Sequence, residues 1–198
     1  MPLEQPTPST VKVWGPLIRL FHWLLVLSIL LAYISGDGYS KLHLVVGYII
    51  SLLLGFRIVW GIFGPRRIRF IYFVKPPAVV FSYLKCLFQS TAPHYLGYNP
   101  AGAAMIICLL TSIGLVCMSG IEISSMNSSE LLANTNLIFM NQAWMKSIHA
   151  FCADLIFILV VLHIHGVLIT GSLEGENLVK AMITGRKKNR SDAVDKQA

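Results

Sequence analysis

Four stretches of this 198-residue chain are long and apolar enough to cross the hydrocarbon of a bilayer, which takes about 20 helical residues. They run over residues 17–35, 42–63, 101–121 and 148–171. In lipid every backbone N–H and C=O must be satisfied within the protein, which leaves helices or closed barrels. Uninterrupted apolar runs of this length read as helices. The expected fold is therefore all-α, an integral membrane four-helix bundle forming one domain over residues 1–198. Only 13% of residues are charged, where a soluble domain carries about a quarter, so the apolar surface belongs to the bilayer.

The formal net charge of +7 is unevenly placed. Lys12 and Arg19 precede or open the first run, and Arg66, Arg67, Arg69, Lys75 and Lys85 follow the second. Lys180, Arg186, Lys187, Lys188, Arg190 and Lys196 follow the fourth, whereas the other two connections hold only Lys41 and Lys146. By the positive-inside rule, both termini and the middle connection face the cytoplasm. Nucleic-acid binding is not indicated, because no folded soluble face carries the charge.

Local signals divide the chain. Gly36-Asp37-Gly38 predicts a tight turn, and Gly64-Pro65 ends the second run because proline cannot continue the helical ladder. Phe70, Phe73, Phe81, Tyr83 and Phe88 alternate with Arg69, Lys75 and Lys85, which suits a segment lying on the inner membrane surface. Asn99-Pro100 predicts the entry to the third helix. A short surface helix is expected from Ser129, and residues 1–10 read as a flexible arm. The four cysteines lack metal-site spacing and no C-x-x-C-H occurs; Cys108 and Cys117 are expected to be buried packing residues.

The histidines carry the chemistry. His43 and His149 open the second and fourth runs at the outer side, while His22 and His163 lie towards the inner side of the first and fourth. His149 and His163 are fourteen residues apart, which returns to within about 40° of one helix face, about 21 Å along the axis. His165 points about 160° away from His149 and His94 lies in the inner connection, so both read as bystanders. His43 is then level with His149, and His22 with His163. Each pair can grip a haem iron from both axial directions. A zinc site fits less well, since two imidazoles leave a four-coordinate site half built.

Gly47 shares the face of His43, and Gly102, Gly114 and Gly120 recur through the third helix. Glycine there leaves room either for a flat macrocycle or for close helix packing. Arg19, one turn before His22, and Arg57, within the second helix, are candidates for anionic propionates. Arg57 is the stronger of the two, because a cation inside a membrane helix is costly without a partner.

Several blocks resemble the bacterial cytochrome b561 family, related to the b-type cytochrome subunits of nickel–iron hydrogenases. They are the stretch from Val13-Trp14-Gly15-Pro16 to Phe21-His22-Trp23, then Leu42-His43 with Gly47-Tyr48, then Phe56-Arg57 to Gly64-Pro65-Arg66. Tyr95 to Gly102, His149, Leu162-His163 and Glu176 to Lys187 complete the set. Gly15 and Tyr98 depart from the family, which often has aspartate and histidine there. The resemblance implies two non-covalent b haems, held by His22 with His163 and by His43 with His149. It implies an electron carrier of the bacterial inner membrane, working between the quinone pool and a periplasmic redox partner such as a cytochrome c or a hydrogenase-like protein. Two other roles fit the family, a superoxide oxidase that reduces ubiquinone and a haem-bearing anchor of a hydrogenase-like complex. A haem-free transporter with histidines on a proton path is the reading outside it.

Overall fold

The computed structural model describes residues 10–36, 41–89, 91–93, 95, 97–127 and 141–188. In chain order these form β1 (Thr10–Lys12), α1 (Pro16–Ile34), α2 (Lys41–Phe63), a 3-10 turn (Arg66–Ile68), α3 (Phe70–Phe73) and α4 (Pro77–Phe88). There follow α5 (Pro100–Asn127), α6 (Gln142–Glu174), α7 (Leu178–Thr184) and β2 (Arg186–Lys188). Helices α1, α2, α5 and α6 are the four expected spans. The expected helix from Ser129, and residues 37 and 38 of the expected turn, lie outside the described residues.

Two spans outrun their apolar stretches. α5 continues to Asn127, and the 33 residues of α6 measure about 50 Å against about 30 Å of hydrocarbon. Hydropathy marks the part bathed in lipid, whereas the hydrogen-bond ladder continues through the polar turns beyond it. The ends carry recognisable caps. Asn99 Oδ1 accepts the Gly102 N–H at 2.6 Å with Pro100 in the first turn, and Asn141 Oδ1 accepts the Ala143 N–H at 2.9 Å. Gly175 ends α6 with φ 61°, a left-handed conformation in which a side chain is strained.

α1 packs on α2, α2 on α5, and α5 on α6. Val46, Ile50, Ile113 and Ile156 form the centre of the contact. Tyr33 stacks on Phe157 with ring centroids 5.4 Å apart, which brings α1 to α6. Leu20, Leu52, Phe151 and Leu168 point outwards, as lipid-facing residues do. Cys117 is half-buried and packs against this core, but Cys108 is among the outward residues, so the expectation of a buried packing residue is corrected for Cys108. A helix apolar on every face offers no pattern from which its lipid side can be read.

The first and last described residues meet at one end of the bundle, here the terminal end. β1 and β2 pair antiparallel, Thr10 opposite Lys188 and Lys12 opposite Arg186, so Thr10 belongs to a ribbon rather than to a loose arm. The Val13 N–H donates to Gly185 O at 2.8 Å, and Arg19 Nη1 donates to Ile183 O at the end of α7. Between the strands and α6 lies Lys187, only 6% exposed. Its Nζ is 3.6 Å from Glu174 and 3.9 Å from Glu176, and it donates to Tyr95 O at 3.1 Å. Nearby Tyr83 is buried, and desolvation, with the charge of Glu174 adding to it, pushes its phenol up to about 12. It stays a neutral hydroxyl.

Removing one partner of a buried ion pair strands the other charge. Lys187→Ala is expected to lower stability by about 3–5 kcal/mol, read as thermal unfolding in detergent. The exposed Lys188→Ala should cost less than about 1 kcal/mol. Equal effects would show that the buried ammonium does not hold β2 to the end of α6.

Candidate cofactor site

At the end opposite the termini, His43 of α2 meets His149 of α6, ring centroids 6.0 Å apart and planes at 69°. Each ring is held at Nδ1 by the main chain of a neighbouring helix. His43 Nδ1 lies 3.0 Å from Ala32 O and 3.5 Å from Ser35 Oγ. His149 Nδ1 lies 3.0 Å from Val116 O and 3.2 Å from Ser119 Oγ. A carbonyl can only accept, so in both rings Nδ1–H donates and Nε2 carries the lone pair. That is the tautomer in which an Nε2 binds a metal, with the other nitrogen anchored.

Local structure explains why these carbonyls are on offer. Ala32 lies in the last turn of α1, where carbonyls have no intrahelical N–H to accept. Val116 is within α5, so His149 takes its second lone pair, shared with the Ser119 hydroxyl at 3.0 Å. Gly120 lets the imidazole approach: a Cβ there would lie 3.0 Å from His149 Cε1. Beside Gly47, one turn from His43, a Cβ would meet nothing within 4 Å. Gly114 and Gly102 serve packing and capping instead, against Leu54 and Asn99.

Towards the terminal end, half-buried His22 of α1 lies edge-on to Trp23 and interacts electrostatically with His163 of α6. Phe21, Phe56 and Trp60 form an aromatic wall, with Phe56 stacked on Trp60 at 5.4 Å. His22 Nδ1 is buried and makes no hydrogen bond among the described residues. Thus the rings of His43 and His149 meet at 6.0 Å, while His22 lies within electrostatic reach of His163.

These residues fit an axially ligated haem. Two metal–nitrogen bonds of about 2 Å, plus about 1 Å from each nitrogen to its ring centre, require imidazole centres roughly 6 Å apart. The separation of His43 and His149 agrees. No group of three or more His, Cys, Asp or Glu that could hold a metal gathers among the described residues, so a zinc site built from side chains alone has no ligand set there.

The other candidates are placed as follows. Arg57 is 2% exposed, with its guanidinium 4.7 Å from the centre of the Phe70 ring and Nη1 donating to Ile68 O at 3.4 Å. Phe73 lies on the same guanidinium and packs on Tyr98 at 4.7 Å. Burial pushes the Tyr98 phenol up, and the Arg57 charge pulls it back. Arg19 bonds the α7 terminus, as described above. His165 is exposed and bonded at Nδ1 to Val161 O of its own helix, at 2.8 Å. His94 lies outside the described residues. Sequence reasoning did not single out Ala32, Ser35, Val116 or Ser119; only the hydroxyls had any signal, as polar residues within apolar runs.

The close fit of Gly120 against His149 generates a test. Gly120→Val is expected to displace the imidazole and lower stability by about 1–3 kcal/mol, read by thermal unfolding. Gly55→Ala, where a Cβ meets nothing within 4 Å, should be neutral or slightly stabilising because alanine favours helix.

No curated protein and no solved structure matches the chain. The family model for prokaryotic cytochrome b561 matches residues 13–185, which include both histidine pairs, all four spans and α7. The chain belongs to the prokaryotic cytochrome b561 family, multi-pass bacterial membrane proteins that carry b-type haem and take part in electron transfer.

Proposed function

We propose that the chain is a di-haem cytochrome b that relays single electrons across the bacterial inner membrane between the quinone pool and a periplasmic redox partner. One haem is held by His43 and His149, the other by His22 and His163. The terminal end, with its excess of Lys and Arg, faces the cytoplasm. The carrying observation is the meeting of His43 and His149 at 6.0 Å, each with Nδ1 fixed by a main-chain carbonyl.

When bound, haem iron supplies one-electron redox chemistry. The chain's own residues do the rest. Ala32 and Val116 orient the imidazoles and raise their basicity through Nδ1–H. Gly47 leaves room beside the ligand of α2. His149 and His163 set the two levels about 21 Å apart along α6, a span that porphyrin edges shorten enough for a relay. Arg57 and Arg19 place cations at the terminal end, where propionates of the second haem would be neutralised. Quinone as a substrate, and a cytochrome c or hydrogenase-like protein as partner, belong to this same reading.

Pyridine haemochrome analysis of purified protein should count two haems b per chain. Replacing His43 or His149 by alanine should remove one haem, and replacing His22 or His163 the other, resolved by redox titration of the remaining spectrum. Loss of the same haem in the His22 and His43 variants would sink the pairing. Ser119→Ala should retain both haems while raising the midpoint potential of one, since His149 loses an acceptor at Nδ1. An unchanged potential would remove Ser119 from the site.

A further inference from the structure

Between Gly64 and Asn99 the chain has Arg66, Arg67, Arg69, Lys75 and Lys85, and no Asp or Glu at all. This segment forms α3 and α4 at the terminal end of the bundle, and one side of it is taken. Tyr83 is buried and Val80, Leu84 and Leu87 are partly buried, at the spacing of one helical face, and α4 packs on α5. The other side carries Phe81, Lys85 and Phe88 at i, i+4 and i+7, in one stripe. Phe81 is 70% exposed and Phe88 86%, and Ile71 on α3 is 82% exposed. Exposed Arg66 has its guanidinium 5.8 Å from the centre of the Tyr72 ring, and Lys75 is exposed between the two helices.

We propose that this α3–α4 surface is a binding site for anionic phospholipid headgroups. Large apolar side chains beside cations that no acid of the segment opposes suit a partner that is oily and negative within a few ångströms. The acyl boundary of an anionic leaflet meets that requirement along the whole segment. Phe81, Phe88 and Ile71 enter the acyl boundary, while Lys75, Lys85 and Arg66 reach the phosphates with their aliphatic stems lying along the apolar surface. A soluble protein would have to bring acids and apolar pockets together in one plane to match it. The site is independent of haem and adds to the proposed relay a lipid contact at the end bearing β1 and β2.

The test uses the full chain, purified in mild detergent and exchanged into nanodiscs of phosphatidylcholine with a minor share of phosphatidylglycerol. Lipids retained on the protein are then counted by native mass spectrometry. Wild type should enrich phosphatidylglycerol above its share, and the enrichment should fall as salt is raised, because the attraction is screened. Lys75→Gln with Lys85→Gln should reduce enrichment roughly fivefold for each charge removed. Lys146→Gln, at the other end of the bundle, should leave it unchanged. Wild type without enrichment, or enrichment insensitive to both salt and the double substitution, would overturn the proposal, and the salt arm decides it even if the double variant folds poorly.

Discussion

A buried imidazole N–H is costly unless it is answered, and for His43 and His149 the answer is a main-chain carbonyl of the neighbouring helix. His43 binds Ala32 O and His149 binds Val116 O, both at 3.0 Å. One contact does three things. It satisfies a buried donor that would otherwise cost about 1–3 kcal/mol, fixes the ring's orientation, and leaves Nε2 with its lone pair. It also ties α2 to α1 and α6 to α5 at the same level. Packing of the four helices and preparation of the site are therefore the same interaction, since neither carbonyl is reached unless the helices are in register.

How far such a site can be read in advance depends on which part of it is periodic. The spans were legible because length and hydropathy suffice, and the histidine levels because helical rise is constant over α6. Side-chain partners of those histidines were not, because the acceptors are backbone atoms: Ala32 and Val116 carry apolar side chains and give no sign of their carbonyls. Gly120 was visible as a small residue, but whether it faced a ring or another helix required coordinates. The lipid side of α5 was equally hidden, which is why Cys108 was misplaced. The three-residue strands at Thr10–Lys12 and Arg186–Lys188 were invisible for a different reason: sequence-distant pairs that short have no pattern of their own, and they meet only once the ends of α1, α6 and α7 are in place.

Arg57 shows how a costly residue can serve more than one purpose. A buried guanidinium in α2 rests against Phe70 and Phe73 and donates to Ile68 O, so the cation is matched by ring faces and a carbonyl. Gly61, one turn further along α2, has no Cβ because the Phe70 ring occupies that space. The chain is thereby folded back under the bundle directly after Gly64-Pro65, and α3 and α4 are laid across the terminal end. With the packing of α4 on α5, this brace fixes the segment against the bundle.

The two ends of the bundle are consequently built on different physics. At the end opposite β1 and β2, order comes from main-chain carbonyls and close packing, with Gly120 and Ser119 shaping the seat of one imidazole. At the terminal end, order comes from charge: Lys187 between Glu174 and Glu176, Arg57 among aromatic rings, and Arg19 on the last turn of α7. His22 sits between these regimes, its Nδ1 buried and without a hydrogen bond among the described residues. A ring so placed is held by packing against Trp23 and the neighbouring aromatic side chains rather than by a directed bond. The opposite-end imidazoles are thus each anchored by a directed bond at Nδ1, whereas His22 is left to packing. That difference is a property of the polypeptide itself, set by which main-chain carbonyls the helix register brings within reach of an imidazole.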